Sequence, residues 1–159
     1  MSERGSQASL TGINEQAPIV ATSEIEIAAS PEAVWEVLTA FEDWPTWNRE
    51  VKSMAIEGNV GPGTVFRWKA GPGTITSTIQ CVEPPRQIGW TGKTLGIDAI
   101  HFWHLDPRDG ATFVRTEESF DGLVARLFRR SLQKTLDRSL ADGLAYLKTE
   151  VERRAASEK

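Results

Sequence analysis

Few side chains in this chain of 159 residues are of types that could take part in catalysis, and the two histidines come first. His101 and His104 lie three residues apart in a segment with the alternation of a β-strand, so they point to opposite faces of a sheet. Joint metal ligation is therefore not expected, and a single cysteine with two histidines is too few for a structural zinc site. We expect no metal and no cofactor.

His101 is the histidine that we expect to face the interior. It shares a face of its predicted strand with Trp103, whereas the face that carries His104 ends in Asp106. Two roles are open for an inward His101. It is either a neutral side chain hydrogen-bonded to a neighbouring strand, or a group that binds a ligand or acts as a general acid or base.

A carboxylate partner for this histidine is expected on the next strand. The more apolar face of that strand carries Thr116 and Glu118, and the other face carries Arg115 and Glu117. A carboxyl group in an apolar pocket has a raised pKa or needs a partner. A bulge at the turn 106–110 would exchange the two faces, so the choice between Glu118, which we favour, and Glu117 stays open.

Tryptophan is unusually frequent, with six residues of this type. Large aromatic side chains fill ordinary cores, and they also line sites for flat apolar ligands. Trp68 alternates with Arg67 and Lys69, and we expect Trp68 to face inward because two buried bases would each need a partner. Trp90 and Trp103 also fall on predicted strands.

The elements that would position these side chains follow an antiparallel α+β pattern. Two short helices lie between strands 1 and 2; Ser30 and Pro31 supply the cap and first residue of one, and Pro45 limits the other. Alternating apolar residues bounded by Gly, Pro and Asn predict seven strands. The predicted strands are 19–29, 51–57, 64–69, 74–82, 87–91, 96–105 and 112–120.

One long amphipathic helix is predicted at the end of the chain, over residues 121–154, and at ~1.5 Å per residue it would measure roughly 45–50 Å. A helix of this length needs a sheet curved around it to bury its apolar stripe, and such an arrangement leaves a cavity between the two. The stripe consists of Leu132, Leu136, Leu140, Leu144, Leu147 and Val151.

Composition limits the remaining possibilities. A formal net charge of -4 argues against nucleic acid as a partner, and the lone Cys81 cannot form an internal disulfide. Residues 1–17 are polar and predict a flexible leader, not a signal peptide. No apolar run is long enough for stable membrane insertion. We therefore expect a cytoplasmic protein with a single domain over residues 18–155.

Five motifs together resemble those of a known superfamily. They are Ser30-Pro31-Glu32-Ala33-Val34-Trp35, Asp43-Trp44-Pro45-Thr46-Trp47-Asn48, Gly61-Pro62-Gly63-Thr64-Val65-Phe66-Arg67-Trp68-Lys69, Glu83-Pro84-Pro85-Arg86 before Ile88-Gly89-Trp90, and Thr116-Glu117-Glu118-Ser119-Phe120. They are similar to motifs of the START and polyketide cyclase (SRPBCC) superfamily, in particular its bacterial polyketide cyclase-like branch. The resemblance covers about residues 18–153. It implies a helix-grip fold, in which a curved seven-stranded antiparallel sheet wraps around the long C-terminal helix.

The function that we predict is binding of a small hydrophobic molecule, of lipid, polyketide or aromatic type, between the sheet and the C-terminal helix. The resemblance also permits a polyketide cyclase, aromatase or dehydratase that acts through His101 and Glu118. Whether the chain is an enzyme, and whether it is a monomer or a homodimer, stays open. The expected wall residues are Trp68, Trp90, His101, Trp103, Glu118, Phe128, Leu132 and Leu136.

A third hypothesis is an interaction module for a protein or a membrane. Basic residues cluster on the first half of the long helix, where they form either a solvated face or a contact with an anionic surface. The best candidates for an exposed apolar patch in that region are Val124, Leu127 and Phe128, beside Arg129 and Arg130.

Overall fold

Seven antiparallel strands form one sheet in the order β1-β7-β6-β5-β4-β3-β2 in the computed structural model, which describes residues 10–159. The first nine residues of the predicted leader lie outside the described residues. The strands are β1 Ile19–Ile27, β2 Val51–Ile56, β3 Val65–Ala70, β4 Thr74–Glu83, β5 Gln87–Thr94, β6 Ile97–Arg108 and β7 Ala111–Asp121.

Two tight turns make the last three strands longer than the sequence predicts. Leu95 and Gly96 link β5 to β6, and Asp109 and Gly110 link β6 to β7, with all four residues at positive φ. Turns of this kind match the twist of a hairpin and allow pairing up to the turn itself. The predicted boundaries at residues 91, 105 and 112 are therefore corrected to Thr94, Arg108 and Ala111.

The register between β6 and β7 is continuous, from Asp98 opposite Asp121 to Arg108 opposite Ala111. No bulge exchanges the faces of these strands, so the alternation predicted from the sequence holds along their whole length. Shifts of register occur elsewhere, in β4 between Ile79 and Cys81. Such irregularities bend a strand and contribute to the curvature of the sheet.

Two short helices lie between β1 and β2, as predicted. Helix α1 spans Pro31–Thr39, and the hydroxyl of Ser30 accepts a hydrogen bond from the N–H of Ala33 at 3.2 Å. After a 3₁₀ turn, α2 spans Trp44–Trp47. These helices contribute to the main core and place the Trp44 and Trp47 rings against the sheet.

The C-terminal helix α4, Arg129–Ser157, buries the predicted stripe from Leu136 to Val151 against the sheet. Side chains of α4 also bond the backbone of β1. The Gln133 amide donates to the carbonyl of Val20 at 3.0 Å, and the Lys148 ammonium donates to that of Glu26 at 2.8 Å. The helix therefore lies along β1 with its C-terminal end beside α1.

The prediction of one helix over residues 121–154 is wrong at its start. Strand β7 continues to Asp121, a short helix α3 occupies Leu123–Leu127, and the helical direction changes at Phe128 before α4 begins. The break has a tertiary cause, since the N–H of Val124 donates to the carbonyl of Gly96 at 3.3 Å. That contact fixes α3 on the β5–β6 turn, away from the line of α4.

The helix-grip fold expected from the sequence is confirmed, with the curved sheet, the long C-terminal helix and the short helices after β1. The prediction of a flexible leader over residues 1–17 stays a prediction. In its described part, the backbone N–H of Asn14 donates a hydrogen bond to Ser119 Oγ on β7 at 3.1 Å. No helix within residues 10–159 combines the length and the apolarity that crossing a membrane requires.

Candidate functional site

A cavity of about 540 Å³ lies between the concave face of the sheet and helix α4. Inward-facing residues of β3 to β7 form one wall, and Leu132, Leu136 and Leu140 of α4 form the opposite wall. The long helix cannot approach the centre of a curved sheet as closely as its edges. The space therefore follows from the same geometry that buries the apolar stripe of α4.

Tryptophan side chains form much of the wall of the cavity. Five of the six line it, namely Trp44, Trp47, Trp68, Trp90 and Trp103. The Trp44 indole donates to the carbonyl of Leu38 at 2.9 Å, and that of Trp68 donates to Ser77 Oγ at 3.1 Å. The buried indole nitrogens of Trp47 and Trp103 have no hydrogen-bond partner within residues 10–159. These two N–H groups are donors that a bound molecule could satisfy.

His101 and Glu118 face each other across β6 and β7 and both line the cavity. Their Nδ1 and Oε1 atoms are 3.4 Å apart, but Nδ1 makes no hydrogen bond. On the other side of the ring, Nε2 lies 2.6 Å from Thr116 Oγ1, and the Thr116 hydroxyl donates to the carbonyl of Phe102 at 3.4 Å. In this arrangement Nε2 carries the proton and Nδ1 presents its lone pair to Glu118.

Burial controls the protonation of this pair. It lowers the pKa of His101 to about 3 and raises the pKa of Glu118 to about 8, because each charged form would be poorly solvated. At neutral pH the imidazole is uncharged and the Glu118 carboxyl retains its proton. The inner end of the cavity therefore offers hydrogen-bond donors and an acceptor without a net charge.

The mouth of the cavity has a different character. It is bordered by the β3–β4 turn at Gly71–Gly73, by Leu95, and by three exposed basic residues that line the cavity, Arg49, Lys52 and Arg138. These are the only cations among the described lining residues, so positive charge is confined to the entrance. The carboxyl group of Glu50 lines the same part of the cavity and offsets some of this positive charge.

The structure brings together seven of the eight expected wall residues and excludes one. Phe128 is absent from the lining, and 56% of its surface is exposed. Its placement in the wall is corrected, since the change of direction between α3 and α4 turns it outward. The seven that do line the cavity are Trp68, Trp90, His101, Trp103, Glu118, Leu132 and Leu136.

The unbroken register of β6 and β7 determines which of Glu117 and Glu118 faces the cavity. Glu118 faces the cavity, whereas Glu117 lies on the convex face, with Oε1 3.0 Å from His104 Nε2. Its other oxygen lies 3.6 Å from the Arg115 guanidinium. Trp68 likewise faces inward, as predicted, and its neighbour Arg67 is exposed and paired with Glu57.

Sequence reasoning missed the contribution of the segment after α1. Trp44, Trp47 and residues 48–52 all border the cavity. The sequence did indicate the contribution of the two tryptophans, because Trp44 and Trp47 are three residues apart in a helical turn and so share one side of it. The basic residues of the mouth carried no such signal, since their proximity depends on how α2, β2 and α4 pack.

Comparison with known proteins places the chain in a sequence family. The family model described as "Polyketide cyclase / dehydrase and lipid transport" matches residues 18–152. No curated protein matches the chain.

Solved structures with the same fold have low sequence identity to the chain. A hypothetical protein of Helicobacter pylori is 13% identical with a TM-score of 0.78, over 91% of this chain and 98% of that one. The Zhui aromatase/cyclase of Streptomyces sp. R1128 is 20% identical with a TM-score of 0.75, over 86% and 94%. A START superfamily protein of Mycobacterium smegmatis is 18% identical with a TM-score of 0.68, over 84% and 97%.

Proposed function

The chain belongs to the polyketide cyclase/dehydrase and lipid transport family, and from this premise we propose that it binds a small, mainly apolar molecule between the sheet and α4. The observation that carries the proposal is the indole-lined cavity of about 540 Å³ with unpaired polar atoms at its inner end. Ligand pockets typically have volumes of ~300–1,000 Å³, apolar walls and a few placed polar groups.

The energetics favour a ligand that fills the apolar part of the cavity. Burial of apolar surface contributes about 25 cal/mol per Å², so a few hundred Å² support micromolar affinity after the costs of association. Flat or elongated molecules of lipid, polyketide or aromatic type suit walls made of indole rings and leucine side chains.

The inner end selects for an uncharged oxygen function. Trp103 Nε1 and the protonated Glu118 carboxyl donate hydrogen bonds, and His101 Nδ1 accepts one. A carbonyl oxygen could accept from both donors, and a hydroxyl group could in addition donate to His101. A carboxylate there would lack a cationic partner, which favours neutral carbonyl or hydroxyl compounds over fatty acids bound head-first.

Titration with a panel of fatty acids, flavonoids, aromatic polyketides, sterols and quinones, followed by tryptophan fluorescence, tests this proposal. Trp103→Phe should weaken binding of the best carbonyl or hydroxyl ligand about tenfold, since one hydrogen bond is lost. Trp35→Phe is the matched control, because Trp35 lies on α1 outside the cavity lining. No response across the panel, with no apolar adduct in a native mass spectrum, would reject it.

Catalysis of cyclisation or dehydration is a second candidate, favoured by the opposed His101 and Glu118. His101 Nδ1 would take a proton from a carbon between two carbonyl groups, and that carbon would form a bond to a second carbonyl carbon. Glu118 would give its proton to the oxygen of that second carbonyl, which becomes a hydroxyl group. For cyclisation alone, the proton on His101 then returns to the Glu118 carboxylate. For dehydration, His101 gives its proton to the hydroxyl group, which leaves as water, while the Glu118 carboxylate removes the second proton of the carbon that formed the new bond; a C=C bond forms and Glu118 is protonated again.

The turnover and the melting temperature of a His101 variant distinguish the catalytic function from ligand binding alone. His101→Ala should lower turnover of a poly-β-ketone substrate by on the order of a hundredfold, with a melting temperature near that of the wild type. If His101→Ala only destabilises the protein, His101 is a structural residue and the binding function stands alone.

A further inference from the structure

Exposed leucine and phenylalanine side chains concentrate at one end of the molecule. Leu95 is 63% exposed, Leu123 70%, Leu127 68% and Phe128 56%. They belong to the β5–β6 turn and to the α3 segment, which are joined by the Val124–Gly96 hydrogen bond. Val60, at 36%, is the only other large apolar residue in residues 10–159 with comparable exposure.

The turn residue Leu95 occupies a position that does not favour leucine. Its φ is +43° and that of Gly96 is +76°, the conformation in which Asn-Gly or Asp-Gly is preferred. A leucine at positive φ is unfavourable in the folded backbone, and Leu95, with 63% of its surface exposed, offsets only part of this cost by packing over Gly73. An unfavourable residue at an exposed position indicates selection for something other than stability.

This end of the molecule is contiguous with the mouth of the cavity. Leu95 and Leu123 border one shallow recess, and Leu95 also lines the cavity. The Leu95 side chain lies over Gly73, where an added Cβ would be 2.9 Å from Leu95 Cδ1. The apolar patch therefore begins where a ligand would enter.

Basic residues outnumber acidic ones in the segment that carries most of the patch, although the whole chain has a net charge of -4. In the recess beside Leu95 and Leu123, Lys93 and Asp98 form an ion pair at 3.9 Å. Residues 121–138 contain five basic residues and two acidic ones. Asp121 is paired with Arg126 at 3.0 Å, while Arg129 and Arg130 are exposed and have no ion-pair partner among the described residues. Apolar side chains flanked by basic ones are typical of segments that bind at the surface of anionic bilayers.

We propose that this surface, defined by Leu95, Leu123, Leu127 and Phe128 with Arg129 and Arg130 and called here the tip surface, docks on an anionic lipid bilayer with the cavity mouth facing the lipid. Docking is peripheral: the leucine and phenylalanine side chains enter the interface and the guanidinium groups remain at the headgroups. The bilayer is favoured over a second copy of the chain, because two basic tips would repel each other. Docking does not require that the cavity holds a ligand.

Co-sedimentation of the full chain with lipid vesicles tests the proposal. Vesicles of phosphatidylcholine with about one third phosphatidylserine should retain the protein, and vesicles of phosphatidylcholine alone should retain much less. Each basic residue near an anionic surface raises the partition coefficient about fivefold, so R129E/R130E should lower it at least about 25-fold. L127Q/F128Q should lower it about tenfold, because the apolar contact is lost.

Matched controls lie at the other end of the molecule. R86E/K159E makes the same change of net charge at the β4–β5 turn and at the end of the chain, both exposed. V60Q removes an exposed apolar side chain outside the tip surface. Both controls should sediment as the wild type does.

Replacement of Leu95 in the turn distinguishes a role in lipid binding from a purely structural role. L95N places a residue that tolerates positive φ in the turn, so the melting temperature should rise or stay constant while the partition coefficient falls severalfold. The proposal is overturned if R129E/R130E or L95N binds anionic vesicles like the wild type. It is also overturned if the wild type does not prefer anionic vesicles. A dimer in light scattering that L127Q/F128Q dissociates would instead make the tip surface a subunit interface.

Discussion

Strands β6 and β7 carry a histidine–glutamate pair on each face of the sheet. On the concave face, His101 Nδ1 and Glu118 Oε1 are 3.4 Å apart and share no hydrogen bond. On the convex face, His104 Nε2 and Glu117 Oε1 are hydrogen-bonded at 3.0 Å. The two pairs have the same residue types and come from the same two strands.

Their surroundings differ more than their geometry. The inner pair has tryptophan rings as neighbours, with the His101 and Trp103 ring centroids 5.3 Å apart. The outer pair has a third charged partner, since Arg115 lies 3.6 Å from Glu117. Desolvation without a compensating charge leaves the inner groups with shifted pKa values and an unused lone pair. Residue type alone would not distinguish a reactive pair from a structural one.

The largest effect that separates the pairs is expected in the pH dependence of stability. Burial raises the pKa of Glu118 from 4.5 to about 8, so the folded chain binds more protons in this range and its stability falls as pH rises. Burial lowers the pKa of His101 from 6.5 to about 3, so its contribution is present above pH 6.5 and is lost as pH falls toward 3. Between pH 4.5 and 6.5 the two slopes oppose each other.

Above pH 6.5 only the slope of Glu118 remains. The free energy of unfolding should fall by about 1.4 kcal/mol per pH unit, or about 2 kcal/mol between pH 6.5 and 8. Urea denaturation across this window should show the fall in the wild type and in Glu117→Gln, but not in Glu118→Gln. A wild-type curve that is flat across the window would mean that Glu118 is already ionised when folded.

A second, smaller difference concerns the support of the inner histidine. Among the residues that the structure describes, Thr116 is the only hydrogen-bond partner of the His101 ring, so Thr116→Val leaves both ring nitrogens buried without a partner. We expect a loss of about 1.5 kcal/mol in the free energy of unfolding. The ¹⁵N chemical shifts of the His101 ring should also change, because the tautomer is no longer fixed.

Thr91→Val on the neighbouring strand β5 is the matched control for Thr116→Val. Thr91 is half-buried, and its hydroxyl makes two long hydrogen bonds of 3.4 Å, donating to the carbonyl of Thr78 and accepting from the Gln80 amide. Its replacement should change stability by less than about 0.5 kcal/mol. Equal losses for the two variants would show that the Thr116 contact has no special role in holding His101.

The sequence favours the observed face for each member of these pairs, although it leaves the choice between Glu117 and Glu118 open. Alternation on β6 and β7 predicts that His101, Trp103 and Glu118 face the interior. All three line the cavity, because the register between the two strands is unbroken. The stripe of α4 was equally predictable, since its spacing follows from helical geometry.

Contacts between distant segments could not be predicted in the same way. The position of Phe128 depends on the hydrogen bond between Val124 and Gly96, which the apolar spacing does not encode. The sequence predicts a connection between residues 91 and 96, but not the two-residue turn at Leu95 and Gly96, because that conformation is usually indicated by Asn-Gly or Asp-Gly. The approach of Trp47 to the cavity depends on how α2 packs beside β2.

The smallest expected effect is the coupling of the outer pair, measured by a double-mutant cycle with His104→Gln and Glu117→Gln. The side chains of His104 and Glu117 are 18% and 15% exposed, close to the 9% and 14% of the inner pair, so exposure alone does not separate the two pairs. The guanidinium of Arg115 near Glu117 does separate them, because it compensates the carboxylate when His104 is replaced. The coupling energy in urea denaturation should therefore be below about 1 kcal/mol. It should weaken further between about 0.1 and 1 M salt, as the Debye length falls from ~10 to ~3 Å. A coupling of several kcal/mol that salt leaves unchanged would mean that Arg115 does not compensate Glu117, and the third charge would no longer distinguish the two faces.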